Sequence, residues 1–217
     1  MQLTMPDSLY LIASDDDTGA QLASEGFQYA MSVAVLFELT LRNRINLSHD
    51  EITVQDATPT EDPLLDLSLE RIANKRKVRS FEYWVGKLCK TTSAQEMRSR
   101  LTAAGDLREE ERPFLLFFKS KKYPSTATSR ERERINKLKD SAFHPDRCSA
   151  RDAMLLSLLQ ALKLLDVVFA DDELSKYADE MQSITQGDAY ADVVGNLVER
   201  DQALAIAATA TLVVTTT

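Results

Sequence analysis

Apolar and polar positions alternate along this chain with a spacing that changes from block to block. Residues 27–41 are almost continuously apolar. Val33, Val35, Phe37, Leu39 and Leu41 alternate as a strand does, yet the run is too long for a strand of ~5 to 6 residues, so length predicts a buried helix. Before it, residues 9–13 (LYLIA) form a short apolar run that breaks in Asp15, Asp16, Asp17, Thr18 and Gly19, a turn cluster in which Gly19 suits positive φ. After it, residues 45–47 and 51–55 read as two short strands joined through Ser48, His49 and Asp50. In the next block Asp62 can cap a helix, Pro63 suits its first position, and Leu64, Leu65, Leu69 and Ile72 supply its buried stripe.

The middle of the chain is punctuated by charge. The run 74–79 (NKRKVR) ends that helix, and Ser80 opens another with Trp84, Val85 and Leu88 on one side. Ser93 and Glu96 have capping-box spacing for a helix that turns Met97, Leu101 and Ala104 inward, points Arg98 and Arg100 elsewhere, and stops at Gly105. Residues 107–112 and then 114–118 (FLLFF) predict a hairpin whose second strand is apolar on both faces, either buried on both sides or projecting toward a partner or membrane. Residues 129–140 predict a charged, largely exposed helix with close pairs such as Glu131 and Arg134. From Arg151 the sequence MLLSLLQALKLLDVVF predicts a helix apolar nearly all round, suited to the centre of a bundle, and residues 190–197 and 201–214 supply the last helices.

Composition changes this picture in one respect. The 217 residues, 44% hydrophobic and 28% charged, suit a globular protein, and the net charge of −8 argues against anionic partners until it is divided along the chain. Residues 1–70 carry −11, residues 71–139 carry +11 and residues 140–217 carry −8. A basic middle between acidic flanks either builds a positive face that attracts phosphate or is neutralised by its neighbours on folding. Cys89 and Cys148 lack metal-ligand or disulfide-framework spacing, which suits a reducing, cytoplasmic setting. The longest membrane-like run, 203–214, is short of the roughly 20 residues a spanning helix needs.

The chemistry expected of an enzyme is missing from the pattern. There is no nucleophile elbow, phosphate-binding loop, dinucleotide glycine fingerprint, HExxH or paired-cysteine motif, the acidic triplet at 15–17 lacks calcium-loop order, and His49 and His144 fall in predicted loops. No catalytic residue, metal ligand or cofactor is expected. Arg42 and Arg44 close the long apolar helix: Glu38 and Arg42 are spaced for an ion pair near the negative helix end, which makes Glu38, Arg42 and Arg44 structural candidates.

Read in order, LYLIASDDDTG, LFELTLRNRI, PTEDPLLDLSLERIA, WVGKL, the hairpin with FLLF and YP, and the Pro145-x-Arg147 start of a leucine-rich helix resemble the Golgi phosphoprotein 3 family from about residue 9 to residue 214. ELTLRNRI is similar to that family's ELALRGRL and PTEDPLLD to its PTGDPLLD, with Asn43 and Glu61 each replacing a usual glycine. The resemblance implies a mainly α fold: one domain over residues 1–217 around a central apolar helical bundle, with short β-hairpins, one of which protrudes and mediates self-association in eukaryotic members. It also implies a non-catalytic peripheral membrane adaptor that binds phosphatidylinositol 4-phosphate and the cytosolic tails of membrane enzymes, here in the short form found in bacteria. The four positions that carry the eukaryotic lipid-binding tryptophan and arginines hold Ala23, Ser32, Thr91 and Ala94 in this sequence.

Electrostatics then nominates other residues. Lys75, Arg76, Lys77, Arg98 and Arg100 are the candidates for an anionic phospholipid headgroup, and Phe114, Leu115, Leu116, Phe117 and Phe118 those for a homo-oligomer or membrane contact through the hairpin. Two other readings remain open. One is a winged-helix-like nucleic-acid binder, made unlike the chain by its pI of 4.9. The other is an oligomeric protein-interaction module without lipid binding.

Overall fold

The computed structural model describes residues 3–22, 26–48, 51–114, 118–126, 129–144 and 147–177. Within them the fold is mainly helical, with a three-stranded antiparallel sheet and a separate two-stranded ribbon. The expected helices at 190–197 and 201–214, together with His49 and Leu115, Leu116 and Phe117, lie outside the described residues.

The chain opens with α1 (Met5–Ile12), started by a reciprocal capping box in which the Thr4 side chain accepts from the Asp7 N–H and the Asp7 carboxylate accepts from the Thr4 N–H. Helix α2 (Phe27–Leu41) is the centre of the molecule: eleven of its residues are buried, and it packs against α1, α3, α4, α7 and strand β1. Its near-continuous hydrophobicity is explained by that position, since a helix covered on every side has no solvated face to mark with polar residues. Strands β1 (Ile45–Ser48) and β2 (Glu51–Val54) pair in register, Ile45 opposite Val54, and bury Ile45, Leu47 and Ile52. Helix α3 (Pro63–Ala73) starts where Asp62 accepts from the Leu64 and Leu65 N–H groups, and it buries Leu64, Leu65, Leu69 and Ile72. The two-residue β3 (Arg79–Ser80) joins β2, and α4 (Phe81–Leu88) follows with Trp84, Val85 and Leu88 in the core.

Helix α5 (Ala94–Ala103) has half of the expected capping box: Ser93 accepts from the Glu96 N–H, and the return bond is absent. Met97 and Leu101 face inward, whereas Ala104 is exposed beyond the helix end. The ribbon pairs β4 (Glu110–Phe114) with β5 (Phe118–Lys122), so the second strand is FKSKK and the apolar run spans the connection between the strands. Its base is anchored through Tyr123 N–H to the Thr18 carbonyl (3.1 Å) and Ser125 N–H to the Asp16 carbonyl (2.9 Å). Gly19 lies in that contact at φ 66°, and a Cβ there would overlap the Tyr123 backbone.

Helix α6 (Ser129–Phe143) keeps an exposed face but buries Glu131 and Arg134, which do not pair with each other. Glu131 accepts from Ser125 Oγ at 2.8 Å, while Arg134 pairs with the buried Asp152 at the start of α7 (Ala150–Ala161). The expected single helix from Arg151 is two: Lys163 takes φ 57° between α7 and α8 (Leu165–Val168). There the Leu164 N–H returns to the Leu159 carbonyl (2.8 Å) and the Lys163 N–H to Gln160 (3.0 Å), a left-handed helix closure of the kind glycine usually makes. Asn43 closes α2 in the same way, with Arg44 N–H on the Leu39 carbonyl at 2.9 Å.

Glu38 fixes the orientation of three helices. It is fully buried on α2, accepts from Arg42 Nε (2.8 Å) and the Met5 N–H (2.9 Å), and receives two bonds from the Arg151 guanidinium on α7. Burial pushes its pKa up, but the hydrogen bonds and charge of Arg151, helped by Arg42 and Met5, outweigh that and hold it below its ordinary 4.5. Its contribution to stability is therefore complete above the unfolded value and is lost as pH falls through the lower folded one. Glu38→Gln is expected to cost roughly 3–5 kcal/mol at neutral pH, because two arginines lose their counter-charge. Urea denaturation at neutral and acidic pH checks it: the deficit should shrink toward low pH, where wild-type Glu38 is itself protonated.

Asn43 and Glu61, the two residues that stand where the resembling family has glycine, both adopt left-handed backbone, at φ 54° and 65°. Glu61→Gly is expected to stabilise the fold by about 1 kcal/mol, since a left-handed L-residue costs ~1–2 kcal/mol and glycine gives part of that back as unfolded-chain freedom. Asn43→Gly should be closer to neutral, because asparagine tolerates this region. Thermal melts of the two variants would show the ranking, and a Glu61→Gly protein that melts lower would refute it.

Candidate functional site

The cations of the middle third divide into two populations. Most of those on α5 and α6 meet carboxylates, several of them from the acidic flanks. The Arg100 guanidinium reaches Asp7 (Nε to Oδ1, 2.7 Å) and Asp62 (Nη2 to Oδ2, 2.5 Å), the two acids that already cap α1 and α3. It is a clamp between helix starts rather than a side chain pointing away from the core. Arg130 pairs with the buried Asp106, Arg134 with Asp152, and Lys139 Nζ lies 2.6 Å from Glu173. Arg98 donates to the Tyr10 hydroxyl at 3.1 Å and lies 5.3 Å over the Tyr123 ring, so it holds the ribbon base to α1.

The second population is concentrated after α3 and along α4. Lys75, Arg76, Lys77 and Val78 are consecutive and exposed, with Val78 49% exposed as the apolar member. Tyr83, half-buried on α4, sets its ring edge-on against Trp84 at 5.2 Å and gathers three cations: Arg79 at 5.2 Å, Lys75 at 5.4 Å and Lys87 at 5.8 Å from the ring centroid. Among the described residues, no carboxylate forms an ion pair with Lys75, Arg76, Lys77, Arg79 or Lys87. Three like charges within reach of one ring are tolerated because Lys75 and Lys87 stand in water and the ring face is electron-rich. The structure thus brings Lys75, Arg76 and Lys77 to a common exposed turn and commits Arg98 and Arg100 to internal partners.

Sequence reasoning missed Tyr83, Arg79 and Lys87. Part of the signal was present in spacing, since Lys87 lies four residues after Tyr83 on α4, the separation at which helical side chains meet, whereas Arg79 reaches the ring from β3. Lys75 joins them because β3 turns the end of α3 back toward α4.

Over residues 5–201 the chain matches the family described as Golgi phosphoprotein 3 (GPP34). The chain belongs to that family. Golgi phosphoprotein 3 proteins are non-enzymatic adaptors, known for binding phosphatidylinositol 4-phosphate at the periphery of Golgi membranes. Among the described residues no helix is long and apolar enough to cross a membrane. Of the four residues that the resemblance sets against the eukaryotic lipid positions, Ser32 and Thr91 are buried, Ala94 is half-buried and Ala23 lies outside the described residues. Ser32 Oγ stands 3.5 Å from Thr92 Oγ1, and Thr91 Oγ1 accepts from the Arg71 guanidinium. Glu38, Arg42 and Arg44 close α2 with internal partners, Arg44 pairing with Asp56. Phe114 and Phe118 lie in the facing ends of β4 and β5, opposite one another, with their side chains outside the description.

The Tyr83 phenol reports on this patch. Hydrogen bonding from Lys75 and the charges of Lys75, Lys87 and Arg79 favour the phenolate and hold its pKa below the ordinary 10.0. Burial pushes the Tyr10 phenol in the opposite direction. In a spectroscopic pH titration Tyr83 is expected to ionise before Tyr10, and Lys75→Met should move Tyr83 back upward; an unmoved Tyr83 would mean that the cations do not converge on it.

Proposed function

We propose that this chain is a peripheral adaptor that meets anionic membrane through the turn Lys75–Val78 and the Tyr83 cluster, taking a phosphoinositide headgroup of the phosphatidylinositol 4-phosphate type. The observation that carries the reading is a set of five cations without carboxylate partners among the described residues: exposed Lys75, Arg76, Lys77 and Lys87 and half-buried Arg79, three of them (Lys75, Arg79 and Lys87) around Tyr83, beside the exposed Val78. Each Lys or Arg near an anionic leaflet contributes ~1 kcal/mol, so five such side chains amount to roughly 5 kcal/mol before the cost of ordering them. Val78 adds the apolar contact that anchors such a surface in the headgroup layer. Family membership supports the adaptor class. In this reading the four hydroxyl-bearing or small residues set against the eukaryotic lipid positions leave headgroup recognition to the Lys75–Val78 and Tyr83 surface. Arg98 and Arg100 shape the fold behind that surface instead of touching lipid. Cytosolic tails of membrane enzymes are the partner class that the adaptor role implies, and the β4–β5 ribbon with its apolar connection is the element for a homo-oligomer.

Vesicle flotation tests the reading. The protein should bind phosphatidylcholine vesicles weakly, those containing phosphatidylserine better, and those containing phosphatidylinositol 4-phosphate best. Raising salt from about 0.1 M to about 0.5 M should release it, because the screening length falls well below 10 Å. The combined Lys75→Glu, Arg76→Glu and Lys77→Glu protein should lose at least about tenfold in partitioning. Equal binding to neutral and anionic vesicles, or full binding by the charge-reversed protein, would sink it; salt-sensitive binding to duplex DNA with none to vesicles would favour the nucleic-acid reading instead.

A further inference from the structure

A cleft of about 650 Å³ runs between α3 and α5, lined by residues other than those named for the membrane contact. One wall is the ridge of Leu64, Leu67 and Arg71 on α3, spaced i, i+3, i+7; the other is Glu96, Ser99 and Ala103 on α5, spaced the same way. Buried Met97 also lines it. Leu67 is 41% exposed although it lies outside the stripe by which α3 packs on the core, so its methyl groups face the cleft rather than the protein interior. The opposite wall is built from small side chains, Ser99 and Ala103, both exposed.

The charges along the cleft are polarised. At one end Arg100 is neutralised by Asp7 and Asp62. At the other stand Arg71 and Lys90, neither of which has a carboxylate partner among the described residues, beside the single acid Glu96. Arg71 is already oriented, because its guanidinium donates to Thr91 Oγ1. The run of α3 from Pro63 to Arg71 is about 12 Å long at 1.5 Å per residue, which is two turns of helix.

We propose that this cleft receives the apolar face of a short amphipathic helix from another protein, whose acidic end pairs with Arg71 and Lys90. A leucine ridge facing a wall of small side chains is the shape into which a third helix packs, and the excess of cations over acids at one end fixes both its direction and its charge. The cleft reading stands apart from the membrane reading: a chain that fails to bind vesicles can still bind such a helix.

The test is a display selection in which helix-constrained random peptides of about twelve residues are panned on the immobilised full chain, followed by fluorescence anisotropy on the selected sequences. The expected peptides carry leucine-like residues at helical spacing with Glu or Asp at one end. Leu67→Lys and Arg71→Glu should each weaken them by at least about tenfold, and an acid-to-lysine change in the peptide should restore binding to the Arg71→Glu protein. Leu67 is exposed, so Leu67→Lys should melt as wild type; Arg71→Glu also loses the bond to Thr91 Oγ1, and for it the charge-swap rescue distinguishes lost contact from lost fold. Peptides rich in Lys or Arg, binding indifferent to Leu67→Lys, or a wild-type oligomer that Leu67→Lys turns into a monomer would overturn the proposal, the last by making a second copy of this chain the occupant.

Discussion

A carboxylate without access to water holds the middle of this fold together. Glu38 sits on the central helix and is met by the first backbone N–H of α1, an arginine one turn along its own helix, and an arginine from α7. A buried charge is expensive to desolvate, so it is tolerated only where every lone pair is answered. That requirement acts as a geometric constraint: α1 must present its N-terminus, α7 must present Arg151, and α2 must end where Arg42 can fold back. The hydrophobic residues around it fill the space those three directions define.

The same logic governs the rest of the charge. A chain with a strongly basic centre and acidic ends has two uses for its arginines, and the fold separates them by element. On α5 and α6 they are spent as struts: Arg100 ties together the starts of α1 and α3, and Arg130 and Arg134 reach buried aspartates. After α3 and on α4 the cations gather around Tyr83 instead, with Lys75 and Lys87 exposed. Arginine suits the first role because its planar fork can satisfy two carboxylates at once, and the lysine-rich turn suits the second because a hydrated point charge can follow a diffuse negative surface. Overall charge therefore said little about partners; its partition between helices says more.

What was legible in the sequence was what neighbours in the chain decide. The ends of α2 and α3 follow from run length and from Asp62 before Pro63, and the Glu38–Arg42 pair from its four-residue spacing. What was not legible comes from contacts across long separations or from backbone that the residue type does not advertise. Arg151 and Arg100 meet their carboxylates 113 and 93 residues away, so nothing local distinguishes them from surface arginines. Lys163 closes α7 in a left-handed conformation that the pattern of leucines on either side conceals. For the candidate site, the lysine run was visible as charge, but Tyr83 became its focus only once β3 folded α3 toward α4. Asn43 and Glu61 were conspicuous by comparison with glycine in similar sequences, and the backbone supplies the reason.

Gly19 carries a mechanical consequence. With the Tyr123 backbone resting where a side chain would begin, and with Thr18 and Asp16 carbonyls receiving N–H groups from the end of β5, the ribbon is mounted directly on the loop that leaves α1. Tension applied to the ribbon, by a neighbour or a lipid surface, is therefore carried first into α1 and from its N-terminus to Glu38. The ribbon and a fully buried charge thus lie on one line of force.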